Sequence, residues 1–152
     1  MELIRRFGDQ AFASALQSWE FLDFSGLRPL CTSPFGDVFF EGNGGFWFLD
    51  MIGGKLTRVC SEGNELTRLL NSPEGRVDYL MAPLAAEADA GGIVPGPAEI
   101  YDFKIPPVLG GAVEVANLKV LDFMVAVNTV GQIHNQVRNL PPGTPISGVQ
   151  IS

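Results

Sequence analysis

Phe35-Gly36-Asp37-Val38-Phe39-Phe40-Glu41, Gly42-Asn43-Gly44-Gly45, Phe46-Trp47-Phe48-Leu49-Asp50, Met51-Ile52-Gly53-Gly54 and Lys55-Leu56-Thr57-Arg58-Val59-Cys60 follow one another without a break. Aromatic and β-branched residues fill the three longer runs, and Gly and Asn, which accept positive φ at little steric cost, fill the gaps. The pattern predicts a three-stranded antiparallel meander. Side chains alternate along a strand, so Phe46, Phe48 and Asp50 share one face of the middle run, while Trp47, Leu49 and Met51 share the other. Both faces are mostly apolar, which predicts a central strand covered on each side, with Phe46, Trp47, Phe48 and Leu49 largely buried.

The rest of the chain supplies the cover. Asp9 precedes Phe12, Leu16 and Trp19 at helical spacing, predicting a helix over about 10–20. Residues 21–34 carry Gly26, Pro29 and Pro34 and read as an extended connector. Ser61 is a candidate cap for a short helix bearing Leu66, Leu69 and Leu70. Ser72-Pro73-Glu74 opens a second helix with a buried stripe of Val77, Leu80, Met81 and Leu84, kinked or divided at Pro83 and ended by Gly91-Gly92. Glu99–Ile105 alternates as a strand, Pro106-Pro107 fixes a loop, and Val113, Val115, Leu118 and Val120 resume strand alternation around Ala116-Asn117. Asp122 caps the longest helix, about 122–139, with Phe123, Val127, Val130, His134 and Val137 on one stripe. The tail after Thr144 reads as extended. The fold class is therefore α+β, an antiparallel sheet packed against several helices in a single compact domain over 1–152.

Composition narrows the function. The chain has 152 residues, 46% hydrophobic and 18% charged, too apolar for disorder and of a length typical of one domain. Its formal net charge is −7 and its pI about 4.5. Its Lys and Arg residues are scattered, apart from Arg5-Arg6. Nucleic acid and anionic membrane both demand a concentrated basic surface, so neither is expected as a partner. A basic protein partner fits better, although mild acidity also serves solubility alone. No apolar run approaches the roughly 18 to 20 residues that span a bilayer, and no secretory signal is evident, so the expected compartment is the cytoplasm. Cys31 and Cys60, the only cysteines, have no metal-ligand spacing and read as reduced core thiols.

Chemistry-bearing patterns are sparse. Gly53-Gly54-Lys55 lacks both the following Ser/Thr and the earlier Gly of a phosphate loop. Gly42–Gly45 can form an anion-binding nest, but a hairpin turn explains it. His134 is the single histidine and lies on an apolar helical stripe, where it reads as a hydrogen-bonded core residue; a two-histidine metal site is impossible. Glu41 and Asp50 can be set as a carboxylate pair, or simply as solvated strand ends. No catalytic residue, metal ligand or cofactor is assigned.

Ile105-Pro106-Pro107-Val108-Leu109-Gly110-Gly111, Asn117-Leu118, Gly131-Gln132-Ile133-His134-Asn135-Gln136-Val137 and Leu140-Pro141-Pro142-Gly143-Thr144, preceded by Phe35-Gly36-Asp37, resemble the C-terminal domain of immunity proteins against type VI secretion DNase effectors, across about 15–147. In that family the domain often follows a GAD-like domain, of which a short remnant around Leu16–Phe21 is expected here. The resemblance implies a small α+β domain that neutralises a cognate effector toxin by binding it, without catalysis. A non-catalytic interaction or structural domain with no toxin partner is the alternative. If the toxin is a nuclease, its active surface is basic, and carboxylates at strand ends and turns are the expected contacts. Asp37, Glu41 and Asp50 around the first hairpin, with Glu62 and Glu65 on the following helix, form the densest such group. The alternative role for these residues is to bond turn backbones and cap a helix.

Overall fold

The computed structural model describes residues 2–152. Its centre is an antiparallel meander of four strands, β1 (Leu27–Thr32), β2 (Val38–Gly42), β3 (Gly45–Asp50) and β4 (Lys55–Cys60), paired in that order. Phe39 lies opposite Phe48 and Phe40 opposite Trp47. Because alternate side chains face opposite ways, each of these aromatic pairs belongs to a different layer of core.

Val38, Phe40, Leu49 and Met51 line one layer, with Phe12, Ala15 and Trp19, and with Phe123, Ala126 and Val127. The covering elements are helix α1 (Asp9–Leu16), the 310 turn Gln17–Trp19 and the long helix α5 (Phe123–Val137). Opposite, Cys31, Phe39 and Phe48 pack on Leu66 and Leu80, carried by or following α2 (Gly63–Asn71) and α3 (Pro73–Asp78). A third cluster joins Phe35 to Ala85 and Ala88 of α4 (Ala82–Ala90) and to Tyr101, Phe103 and Leu118 of a separate hairpin, β5 (Glu99–Phe103) with β6 (Leu118–Asp122). The hairpin is tied to the meander where the Tyr101 N–H donates to the Pro34 carbonyl at 2.9 Å.

Helix α5 begins where the Asp122 carboxylate accepts from the N–H groups of Met124 and Val125, as its cap reading predicts. The 310 turn lies hard against this helix. Trp19 Nε1 donates to the Val127 carbonyl at 2.9 Å, and Ser18 Oγ to the Asn128 carbonyl at 2.7 Å. Gly131 makes the approach possible: a Cβ there would lie 2.1 Å from Ser18 Oγ and 2.6 Å from Trp19 Nε1.

Four details differ from the sequence reading. The connector after Phe21 contributes the edge strand β1, in which Pro29 is tolerated because an edge strand has one unpaired side, and the pairing with β2 shifts register between Pro29 and Cys31. Residues 113–115 form no strand; pairing begins at Leu118, opposite Phe103. The second helical run is broken at Met81, whose φ of +45° interrupts it ahead of Pro83, and this turns Val77 out to solvent. Phe48 and Leu49 are buried, but Phe46 and Trp47 are only half-buried, since neither cover extends fully over the Gly42 end of β3.

Trp19 is completely buried, whereas Val77 is 53% exposed. Trp19→Ala is expected to cost about 3 to 5 kcal/mol in urea unfolding, from lost burial, a cavity and a lost hydrogen bond. Val77→Ala should change stability by about 0.5 kcal/mol or less. Gly131→Ala should also destabilise, by forcing the 310 turn away from α5.

Candidate functional site

The five carboxylates singled out from the sequence do not form one face. Glu41 and Asp50 lie near opposite ends of the β2–β3 ladder, four residues of strand apart, which is about 13 Å. At the Gly42 end, Glu41 pairs with Arg28, both partly open to solvent. The guanidinium of Arg58 donates to the Gly44 carbonyl and to Ser61 Oγ beside it. Glu41, Arg28, Phe46 and Ser61 share one shallow groove. Glu62 and Glu65 follow directly and form a reciprocal capping box at the start of α2: the Glu62 side chain takes the Glu65 N–H, and Glu65 Oε1 accepts the Glu62 N–H at 3.1 Å. The cap falls on Glu62, one residue beyond Ser61. This end of the sheet therefore carries both signs of charge.

Asp37 is a different kind of residue from the other four. It is 3% exposed. Ser33 Oγ donates to its Oδ2 at 2.6 Å and the Met51 N–H to its Oδ1 at 2.7 Å. Its carboxyl thus has no surface to offer a partner. Burial pushes its pKa up to about 7; the Ser33 and Met51 hydrogen bonds oppose the rise, and the neighbouring charge of Asp50 adds to it. Asp50 is half-buried and turns inward on its own loop, where Oδ1 accepts from the Ile52 N–H at 3.0 Å.

The Met51 peptide links Asp37 to His134. His134 is 5% exposed, and its Nε2 lies 2.8 Å from the Met51 carbonyl. A carbonyl only accepts, so Nε2 carries the proton. The other side of the ring faces Gly54, whose φ is +67° and where a Cβ would come within 2.5 Å of Nδ1. Asp37, Met51 and His134 line a crevice with Tyr101, Asp102 and Pro106–Val108, enclosing a cavity of about 20 Å³. That is room for about one water and too little for an organic substrate. Asp102 is also raised by burial, against the opposing charge of Lys119 at 3.8 Å.

The crevice is roofed by the segment following β5. Asn117 clamps it: Nδ2 donates to the carbonyls of Ile105 and Ala112, each at 2.8 Å, and Oδ1 accepts from the Ile105 N–H at 3.0 Å. One amide thus closes the base of the loop over 105–112 and leaves Ile105 and Val113 more than half exposed. Read in sequence, Asn117 marks only a turn or bulge; its clamping role depends on a partner twelve residues away. Cys31 and Cys60 are free thiols, with burial raising both pKa values. Among the described residues no group of three or more His, Cys, Asp or Glu side chains is placed to hold a metal ion. Nor is any helix among them long and apolar enough to cross a membrane.

Residues 61–134 match the family described as T6SS immunity protein Tdi1, C-terminal, so the family resemblance seen in the sequence is borne out over that stretch. It runs from the start of α2 to His134 and takes in the Asn117-clamped loop. Among solved structures, a crystal structure of Atu4351 from Agrobacterium tumefaciens is similar at 20% identity with a TM-score of 0.46, covering 81% of this chain. This chain spans 62% of that one's length. No curated protein matches the chain.

The raised pKa of Asp37 sets a direction for stability. Between about pH 4 and 7 the unfolded carboxyl ionises while the folded one keeps its proton, so the wild type should lose stability as pH rises through that window. Asp37→Asn removes the titration. Measured by urea unfolding at fixed ionic strength, the wild type should decline relative to this variant by on the order of a few kcal/mol from pH 4 to pH 7, then run parallel to it. Parallel curves throughout would show that the carboxyl is ionised in the fold.

Proposed function

Proceeding from the match of residues 61–134 to a T6SS immunity family, we propose that this chain is an immunity protein that binds a nuclease effector and blocks it without turning over a substrate. That match carries the reading. The net charge of −7 supports a basic partner, because a surface that holds phosphates attracts carboxylates, and such complementarity speeds encounter and selects partners.

In this reading Glu41, Glu62 and Glu65 contribute the negative rim of the contact, while Asp50, at the other end of the ladder and turned onto its own loop, and the buried Asp37 take no part. The ion pair and capping box that engage Glu41, Glu62 and Glu65 are exposed and contribute little individually, so a partner arginine or lysine competes for them at small cost. The apolar centre that a stable interface needs is best supplied by the clamped loop with Ile105 and Val113. A loop already fixed by Asn117 loses little freedom on binding.

The first test is protection. Co-expressing the chain with the protein encoded beside its gene should restore growth that the neighbour alone abolishes. Failure to protect against that neighbour, with both proteins made and soluble, would remove the toxin from the reading and leave a general interaction domain.

The second test maps the contact. Reversing charge at Glu41, Glu62 and Glu65 together should slow association about tenfold at low salt and flatten its salt dependence. Ile105→Asp should instead raise the dissociation rate. A triple reversal with unchanged association, alongside an impaired Ile105→Asp, would move the whole interface to the crevice end of the sheet.

A further inference from the structure

The tail returns to the body of the protein at one place, and the manner of its return describes a binding site. Gln136 Oε1 accepts the Gln150 N–H at 2.8 Å, while its Nε2 donates to the Gln150 carbonyl. Four residues earlier on α5, Gln132 Oε1 accepts the Ser152 N–H at 2.7 Å, and its Nε2 donates to the Ser152 oxygen at 3.2 Å. Each side-chain amide thus meets the N–H and the oxygen of one residue, as a neighbouring strand would.

The spacing explains why two glutamines suffice. Four residues of helix advance about 6.0 Å, and two residues of extended chain about 6.6 to 6.8 Å. Same-side residues of a strand therefore stay in step with an i, i+4 pair of amides. Asparagine and glutamine are the side chains that offer donor and acceptor together. Gln132 is further held by Asn128 Oδ1, which accepts from its Nε2 at 2.7 Å, and Asn128 in turn donates to the Ser14 carbonyl.

The tail fills only one side of this place. Gln17, Ser18, Glu20, Phe21, Asn128, Asn135 and the two glutamines line a groove of about 770 Å³, with Gln150–Ser152 along it. Among the described residues, no hydrogen bond ties residues 145–149 to the body. Among the described residues, the hydrogen bonds that hold this part of the tail to the body are those of its last rungs, and each of them exchanges with water at little net gain.

We propose that Gln132 and Gln136 form a docking site for an extended peptide segment of a partner protein, read through its main chain, which this chain's own tail occupies in cis until it is displaced. The contacts are to backbone, so sequence is tolerated except for proline at a bonded position. Among the described residues that line the groove, Glu20 is the one with a charged side chain, which favours neutral or basic segments over acidic ones. The site stands whether or not the partner of the domain is a nuclease.

The test uses the full chain. Gln150→Pro removes the N–H that Gln136 holds and, by breaking one of the two rungs, should loosen the tail and open the groove while leaving its α5 wall unchanged. A synthetic peptide of residues 145–152, added at millimolar concentration, should shift the side-chain amide signals of Gln132 and Gln136 saturably in that variant. The wild type should need about tenfold more peptide or more, because the tethered tail competes at high effective concentration. Gln132→Ala/Gln136→Ala in the same background should not respond. No saturable shift in the Gln150→Pro chain, an equal response in the double alanine variant, or wild-type Gln150 and Ser152 amides exchanging as fast as in the free peptide would each overturn the proposal. So would dimerisation of the wild type by exchange of tails, which would make the occupant a second copy.

Discussion

The Met51 peptide is the point on which the fold depends. The β3–β4 ladder ends at the Asp50–Lys55 pair, so the next residue has no strand partner, yet it lies inside the protein, 7% exposed. A buried N–H or carbonyl left unpaired costs as much as a lost hydrogen bond or more. Asp37 takes the N–H and His134 the carbonyl. One residue immediately precedes β2 and the other lies in the last turn of α5, so satisfying the two backbone groups of one residue fixes the long helix over the sheet. The price is a buried carboxyl whose pKa burial pushes up to about 7.

Other features follow from that attachment. With His134 held at the sheet's end, Gly54 must have no side chain, since any Cβ would enter the ring. At the middle of α5, Gly131 lets the 310 turn reach two helix carbonyls. The helix is thus gripped along its inner face, and its outer face, with Gln132 and Gln136, is left to meet the tail. The single histidine and the buried aspartate, which in another setting would suggest acid–base work, are occupied with backbone groups around a cavity no larger than about one water. A space of that size admits no organic substrate to these two groups.

How far the sequence reveals this depends on the range of the interaction. The meander is legible because alternation and glycine turns are local signals, and the Asp122 cap and the Ser72-Pro73 start are legible for the same reason. Strand β1 is hidden because Pro29 and Pro34 argue against a strand, and only its position at an edge makes Pro29 acceptable. Asp37 looks like a turn residue beside Gly36; its burial depends on Met51, fourteen positions later. The capping box at Glu62 and Glu65 is open to a local reading, but Ser61 is of the more frequent cap type and points one residue early. Gln132 and Gln136 stand four apart in plain view, yet nothing near them says that an extended segment returns to lie alongside.

The candidate surfaces divide by the same physics. The Gly42 end is mixed in charge and solvated, and exposed charges there steer an encounter without holding it. The Asn117-clamped loop is apolar and pre-formed, which under the proposed function would suit it to hold a partner, because its ordering cost is met during folding. The proposed function calls for both properties, and they need not coincide. Here they lie toward opposite ends of one sheet, joined by strands whose facing aromatic pairs, Phe39 with Phe48 and Phe40 with Trp47, make the platform stiff. Under the proposed function, rigidity of that kind would let a small acidic domain present two separate contacts in fixed relation, so that an encounter formed through one would place the other without further search.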